Sequence, residues 1–165
     1  MSDGPADVLI RTATADDVGA VLDFVRQLAE YERLSHMVTA TEKSMRDSLF
    51  GPHPAAEALL AFEGGTPVGF ALYFHTFSTF LGRRGMWLED IFVKPAFRGR
   101  GYGKALLLRV ARIAQERGCG RYEWSALDWN TGAIEFYKAL GAQPMDEWTT
   151  FRVTGDALER LARDG

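Results

Sequence analysis

The chain contains one cysteine, Cys119, in 165 residues. A single thiol excludes an internal disulfide and a zinc site made of several cysteines. The three histidines, His36, His53 and His75, do not have the spacing of a metal-binding motif. We therefore expect a protein without a metal cofactor, and scarce cysteine is compatible with the reducing cytoplasm, which is the expected location.

Long apolar runs and long basic runs are also missing. No apolar stretch approaches the roughly 20 residues that a membrane-spanning helix needs. Acidic residues outnumber basic ones by 22 to 19, which gives a net charge of −3 and argues against a nucleic-acid-binding surface. Residues 1–7 lack the basic and apolar regions of a signal peptide, and we expect them to be a disordered lead-in.

The composition is otherwise ordinary for a globular protein, with 47% apolar and 25% charged residues. We expect residues 8–165 to form one domain. Periodicity and turn residues predict the order β-α-α-β-β-β-α-β-α-β and a final helix, which is a mixed sheet flanked by helices in the α/β class. The predicted strands cover residues 8–11, 58–62, 68–76, 87–93, 122–127 and 149–154, and the predicted helices cover 14–33, 41–49, 104–117, 130–140 and 156–163.

The most informative segment is a glycine-rich loop between a predicted strand and a predicted helix. It reads Arg98-Gly99-Arg100-Gly101-Tyr102-Gly103. Glycines allow a tight turn that presents bare backbone N–H groups, and a helix start adds the positive end of a dipole. The pattern predicts an anion site that suits a pyrophosphate. Ala105 stands where a P-loop needs a hydroxyl, and the Gly-x-Gly-x-Gly spacing differs from that of a dinucleotide-binding fold.

Two carboxylates precede this loop within an apolar strand. Glu89 and Asp90 are adjacent, and because strand side chains alternate we expect them on opposite faces, with one of them facing a cleft. The residues leave two interpretations open: a functional role in the reaction, or a structural role at an exposed edge or in a salt bridge. Tyr137, on the short helix after residue 130, is likewise either a proton donor or an aromatic that packs on the sheet.

Taken together, these segments resemble the GNAT family of N-acetyltransferases. The Arg-x-x-Gly-x-Gly pattern matches the signature loop of that family, and the similarity extends from residue 10 to about residue 162. Within the family, the diamine acetyltransferase branch is the most similar, and the asparagine turn with its helix looks like that of the thialysine-acetylating members. The segments that carry this similarity are residues 28–32, 50–54, 88–93, 127–130 and 136–142.

The resemblance implies a mostly antiparallel sheet, acetyl-CoA as the cofactor with coenzyme A as a product, and direct attack by the amine in a ternary complex. It implies that Tyr137 is the general acid toward the sulfur and that Glu89 is the substrate carboxylate and water-mediated base. Cys119 is a poor candidate for a thiolate nucleophile, because a predicted helix C-terminus precedes it. The implied cofactor-binding residues are Ile91, Phe92, Val93, Arg98, Gly99, Arg100, Gly101, Tyr102, Gly103, Lys104, Asn130, Thr131, Gly132 and Ala133, and the implied amine-binding residues are Tyr31, Glu32, Glu89, Glu123, Trp124 and Ser125.

The expected substrate is a small primary amine that is thialysine-like, diamine-like or amino-acid-like. Polyamine-selective relatives carry an acid and a tryptophan in the loop that here contains Arg83 and Arg84, which would repel a polycation if they face the pocket. Two alternatives are acetylation of a protein or peptide amine and a catalytically silent acyl-CoA-binding regulatory module. The resemblance also implies a homodimer, and neither nucleic acid nor a membrane is an expected partner.

Overall fold

The computed structural model describes residues 8–165, so the predicted lead-in 1–7 lies outside the described residues. The chain divides into a first compact unit that ends at Ser125 and a second that runs from Ala126 to Gly165. The first unit contains β1 (Leu9–Thr12), α1 (Val18–Tyr31), α2 (Glu42–Phe50), β2 (Glu57–Glu63), β3 (Thr66–Ser78), β4 (Arg83–Val93), α3 (Tyr102–Glu116) and β5 (Tyr122–Trp124). The second unit contains α4 (Thr131–Ala139) and α5 (Gly155–Arg163).

The strands form a five-stranded sheet in the order β1-β2-β3-β4-β5. The first four strands pair antiparallel, and β5 pairs parallel to β4. This arrangement confirms the predicted α/β class with a mixed, mostly antiparallel sheet. The turn from β2 to β3 contains Gly64 and Gly65 with φ of 57° and 81°, angles that suit a tight hairpin and that most side chains disfavour.

Helices cover both faces of this sheet. On one face, Phe24 of α1 stacks on the fully buried Phe70 of β3, with ring centroids 5.3 Å apart. The neighbouring position Gly69 points the other way, where a Cβ would meet Leu106 of α3 at 3.3 Å. Burial of each such large apolar side chain contributes roughly 1.5–3 kcal/mol. The two apolar layers therefore hold β3 and β4 in the centre of the first unit.

The approach to α1 is fixed by an ion pair and a capping box. Arg11 donates to both carboxylate oxygens of Asp17 at 2.7 and 3.0 Å, and the Thr14 backbone N–H donates to the same carboxylate. These hydrogen bonds, led by the one from Arg11, lower the pKa of Asp17 to about 2. Because this folded-state pKa lies below the unfolded value, the contribution to stability is present above about pH 4 and is lost as the pH falls through about 2.

Two predictions about strands need correction. The predicted strand 149–154 is wrong, since the second unit contains helices and no strand. A strand needs a neighbour for its backbone N–H and C=O groups, and Phe151 in this segment is instead 89% exposed. The predicted strand 122–127 ends earlier, at Trp124, where its pairing with residues 86–88 of β4 ends.

Most of the predicted helix positions are confirmed. The predicted helix 14–33 divides into a short 3-10 turn at Ala15–Asp17 and α1, and the predicted helix 41–49 shifts by one residue to become α2. The chain leaves α1 through Arg33, which has a left-handed φ of 62°. Across residues 8–165, each helix is too short or too polar to cross a bilayer.

Candidate active site

The glycine-rich loop lies between β4 and α3, as the sequence predicts. Gly99 and Gly101 have φ of 78° and 86°, the left-handed region in which glycine is favoured. Gly101 is the N-cap of α3, and the first N–H groups of a helix have no partner within the helix. These donors lie at the positive end of the α3 dipole, so the loop has the elements of a phosphate-binding cradle.

Gly103 gives an independent indication of a ligand. It lies in the first turn of α3 with helical backbone, and a Cβ there would meet Val93 Cγ2 at 3.7 Å, an ordinary van der Waals distance. The described fold therefore gives no reason for a glycine, and alanine would favour the helix by up to about 1 kcal/mol. A residue without a Cβ is useful where a ligand approaches the backbone closely.

A carboxylate outside the loop accepts hydrogen bonds from two side chains of the loop. Glu63, the last residue of β2, accepts hydrogen bonds from Arg100 at 3.2 Å and from the hydroxyl of Tyr102. Tyr102 is buried, so the first turn of α3 is tied to the end of β2. Glu63 is not among the predicted site residues, because 37 residues separate it from Arg100 and only the pairing of β2 with β3 brings them together.

Arg98 connects the start of the loop to the end of α1. Its Nε donates to the carbonyl oxygen of Val93 at 2.9 Å. Its guanidinium lies 4.9 Å from the ring centre of Tyr31 and 5.2 Å from that of Phe92, distances at which a cation is attracted to an aromatic face. A predicted cofactor-binding residue and a predicted amine-binding residue are therefore in direct contact.

A β-bulge interrupts β4 at Glu89. Leu88 pairs with Tyr73 and Asp90 pairs with the next residue, Leu72, so Glu89 is left without a partner in β3. The predicted alternation of Glu89 and Asp90 does not hold at such a position, because a bulge adds one residue to a single strand. Asp90 lies on the face of its partner Leu72, which packs in the core beside α1.

Three carboxylates influence one another on this side of the sheet. Burial, together with the smaller effect of the negative charges of Glu89 and Glu32, raises the pKa of Asp90 to about 6. Burial also raises the pKa of Glu32, which caps the C-terminus of α1. A site of this kind favours a bound cation, because a positive charge offsets the repulsion among the carboxylates. No group of His, Cys, Asp and Glu between residues 8 and 165 is arranged to hold a metal ion.

Trp87 is a residue of this site that the sequence analysis missed. Its indole Nε1 donates to Glu89 Oε2 at 2.7 Å. In the register of the sheet it pairs with Glu123 of β5, and the next pair is Leu88 with Trp124. The predicted amine-binding residues Glu123 and Trp124 therefore lie on the strand beside β4, and Ser125 follows directly. The spacing of two residues between Trp87 and Glu89 was an available signal.

The remaining predicted site residues lie in the second unit. Asn130 caps α4, and its side-chain oxygen accepts a hydrogen bond from the Ala133 N–H at 3.4 Å. Thr131, Gly132 and Ala133 form the first turn of that helix, which presents N–H groups of the kind found in α3. Tyr137 lies one turn further along, with its ring centre 5.7 Å from that of Phe136.

Comparison with known proteins agrees with this geometry. The acetyltransferase (GNAT) family model matches residues 23–142, and the chain belongs to that family. It is an acetyl-CoA-dependent N-acetyltransferase. The residues of the glycine-rich loop fit acetyl-CoA. The loop combines left-handed glycines, a helix start, and Gly103, a glycine that the fold does not require.

Two curated relatives and one solved structure are similar to this chain over most of its length. The thialysine N-epsilon-acetyltransferase of Sus scrofa is 40% identical over 95% of this chain and 98% of its own length. The L-ornithine N5-acetyltransferase of Arabidopsis thaliana is 32% identical over 92% of this chain and 86% of its own length. Among solved structures, an integron cassette protein from the mobile metagenome of V. cholerae has a TM-score of 0.80 at 28% identity, covering 96% of this chain and 99% of that one.

Proposed function

We propose that the protein transfers the acetyl group of acetyl-CoA to the primary amine of a small molecule that is thialysine-like, diamine-like or amino-acid-like. The observation that carries the proposal is the set of three carboxylates, Glu32, Glu89 and Asp90. Burial, with the charges of Glu89 and Glu32, raises the pKa of Asp90 to about 6. An alkyl ammonium ion would relieve that repulsion. The names of the two relatives, which act on thialysine and on L-ornithine, support a substrate with an amine at the end of an amino-acid side chain.

For the cofactor, we assign the pyrophosphate to the backbone of the loop from Gly99 to Lys104. Arg98 supports this loop through Val93, and the backbone of residues 91–93 would hold the acetyl and pantetheine portion. From the family resemblance we also assign the first turn of α4, Asn130 to Ala133, to the cofactor. When bound, acetyl-CoA supplies an activated acetyl thioester.

Proton transfers complete the proposed reaction. A primary ammonium ion has a pKa near 10.4 and is not nucleophilic at pH 7, so a base must take one proton. We assign that role to Glu89, directly or through a water, because it lies at the bulge beside Asp90 and Glu32. We assign to Tyr137 the donation of a proton to the leaving sulfur. Cys119 has no part in a direct transfer within a ternary complex.

The test is release of free thiol from acetyl-CoA in the presence of a panel of amines. The panel contains thialysine, lysine, ornithine, spermidine, a short diamine and a peptide with a free N-terminus. We expect saturable release with one or more of the small amines and little with the peptide. Release only with the peptide would favour the protein acetylation alternative, and binding of acetyl-CoA without turnover of any amine would favour the regulatory module.

The proposed general acid has its own test. Tyr137→Phe removes only the hydroxyl, and we expect kcat to fall by about 10²-fold with acetyl-CoA affinity nearly unchanged, the scale for losing a general acid. Phe136→Leu, a change to the neighbouring ring, is the matched control and is expected to leave kcat within about threefold. Unchanged turnover in Tyr137→Phe would remove Tyr137 from the mechanism.

We also propose that the protein forms a homodimer and that it is located in the cytoplasm. The second unit supports a dimer, because it exposes large apolar side chains that a partner surface would cover. Arg83 and Arg84 are exposed at the start of β4, six and five residues before Glu89, and thus on the order of 20 Å from it along the strand. The inclusion of spermidine in the panel therefore tests the sequence argument against polyamines directly.

A further inference from the structure

We infer that Trp87 is a positioning residue, which holds the Glu89 carboxylate in the orientation that removes a proton from the amine. The inference rests on the proposed function, in which Glu89 is the base. Trp87 is a residue of β4 that acts through its hydrogen bond to Glu89.

The contact itself is short and directional. The indole Nε1 of Trp87 donates to Glu89 Oε2 at 2.7 Å, the distance of a strong hydrogen bond to a charged acceptor. A tryptophan N–H has one donor and no acceptor, so it occupies one carboxylate oxygen and leaves Oε1 for the amine or a bridging water. Glu89 is exposed at the bulge, and its side chain has several freely rotating bonds that this hydrogen bond restricts.

The absence of charge on the indole N–H also suits a donor that orients Glu89. An arginine or lysine in this place would hold the carboxylate equally well, but its charge would repel an ammonium substrate and weaken the carboxylate as a base. The uncharged indole orients Glu89 without a second cation. Trp87 is itself held in the sheet between two neighbouring strands, where its register partners are Phe74 of β3 and Glu123 of β5.

Burial does not explain the contact. Trp87 is only half-buried, so its N–H could reach water and is not forced to find a protein acceptor. The presence of the hydrogen bond at this half-exposed position, beside the bulged residue, indicates a role in aiming Glu89.

The proton step has a simple balance. One N–H bond of the substrate ammonium breaks, and its proton forms an O–H bond with Glu89 Oε1 or passes there through one water. The electron pair remains on the amine nitrogen, which becomes the nucleophile. The hydrogen bond from Trp87 to Oε2 persists throughout this step. It restricts the rotation of the carboxylate and so holds Oε1 in a productive geometry.

The test is a double-mutant cycle between Trp87→Phe and Glu89→Gln. The phenylalanine keeps an aromatic ring in the sheet and removes the N–H. We expect Trp87→Phe to lower kcat by about 10-fold, with a smaller rise in the amine KM, since a hydrogen bond to a charged group at a half-exposed site has about this effect. In the Glu89→Gln background the same change is expected to alter kcat by less than about twofold.

Binding and folding measurements separate positioning from a structural role. Acetyl-CoA affinity by calorimetry and the melting temperature of Trp87→Phe are expected to match those of the wild type closely. Trp87→Leu enters the same cycle should the phenylalanine variant not fold. A full 10-fold loss from Trp87→Phe in the Glu89→Gln background, or no loss in the wild-type background, would overturn the inference. Wild-type activity in Glu89→Gln alone would instead overturn the assignment of Glu89 as the base.

Discussion

Asp90 is a carboxyl group of this site whose surroundings disfavour its negative charge. Burial against the α1 side of the sheet and the charges of Glu89 and Glu32 act in the same direction, and together they raise its pKa to about 6. The ionised form is therefore disfavoured in the unliganded fold. A bound ammonium ion would reverse this cost, so Asp90 links substrate binding to stability.

We predict that Asp90→Asn stabilises the unliganded protein and weakens the binding of the amine. The folded-state pKa lies above the unfolded one, so ionised Asp90 costs stability above about pH 6 and no longer does so below about pH 4. Asn should add on the order of 1–3 kcal/mol to the free energy of unfolding at pH 8, with the gain vanishing near pH 4. Denaturant unfolding of the wild type and the variant at pH 8 and at pH 4 measures this difference in the free energy of unfolding.

The same substitution tests the pH dependence of binding. In the wild type, amine affinity is expected to fall as the pH drops through about 6, because Asp90 becomes neutral. Asp90→Asn should raise the amine KM by about 10-fold at pH 8 and flatten this dependence. The exposed Asp16, changed to Asn, serves as the control. An unchanged amine KM in Asp90→Asn would show that Asp90 does not contact the substrate.

At the scale of elements, the junction of β4 and α3 combines two constraints. Its backbone turns through left-handed glycines, and in the proposed function its outer surface leaves room for the cofactor. Different glycines of the loop meet these two constraints. Gly99 and Gly101 are explained by their φ values, whereas Gly103 has a helical backbone and room for a Cβ at an ordinary contact distance from Val93.

We predict that Gly103→Ala stabilises the fold by up to about 1 kcal/mol and weakens acetyl-CoA binding by at least about 10-fold. The stability gain follows from helix propensity, and the loss of affinity follows from a Cβ placed against the backbone donors. Thermal unfolding and calorimetry measure the two effects.

Gly19→Ala is the matched control for this experiment. Gly19 is a glycine inside α1 whose added Cβ would meet Glu42 Oε1 at an ordinary distance of 3.5 Å. The same gain in stability is expected there, with acetyl-CoA affinity unchanged. Tight acetyl-CoA binding by Gly103→Ala would place the pyrophosphate away from this turn.

At the scale of the whole molecule, the second unit exposes a set of large apolar side chains. The side chains in this apolar patch are Met145, Trp148, Phe151, Leu158 and Leu161, each more than half exposed. Exposed apolar groups of this size in one short segment mark an interaction surface. A second copy of the chain is the occupant that the family resemblance implies.

We predict that light scattering coupled to gel filtration gives twice the 18.4 kDa of one chain. Phe151→Glu, at a side chain that is 89% exposed, should shift the protein to the monomer without unfolding it. Phe80→Glu adds the same charge in the loop between β3 and β4, where the side chain is 92% exposed, and should leave the dimer intact. A dimer in Phe151→Glu would exclude the apolar patch as the interface.

Local patterns were sufficient for much of this protein. The order of helices and strands up to α3 followed from periodicity and turn residues, since both depend on neighbours within a few positions along the chain. The glycine loop was recognisable for the same reason, because left-handed turns and a helix start are local properties of residues 98–104. The family resemblance then supplied an activity that the comparisons bear out.

Tertiary structure decided what depends on pairing and packing. The bulge at Glu89 exists because β3 and β4 shift register by one residue, which no property of residues 87–93 alone encodes. Glu63 reaches the loop only through the sheet. Asp90 acquires its raised pKa only when the fold buries it and brings the charges of Glu89 and Glu32 near it. The segment 149–154 has residues that favour a strand but no neighbour to pair with, so its sequence misled the prediction. The sequence by itself thus determined the elements and the cofactor loop, and the tertiary structure determined the electrostatics that prepare the site for an amine.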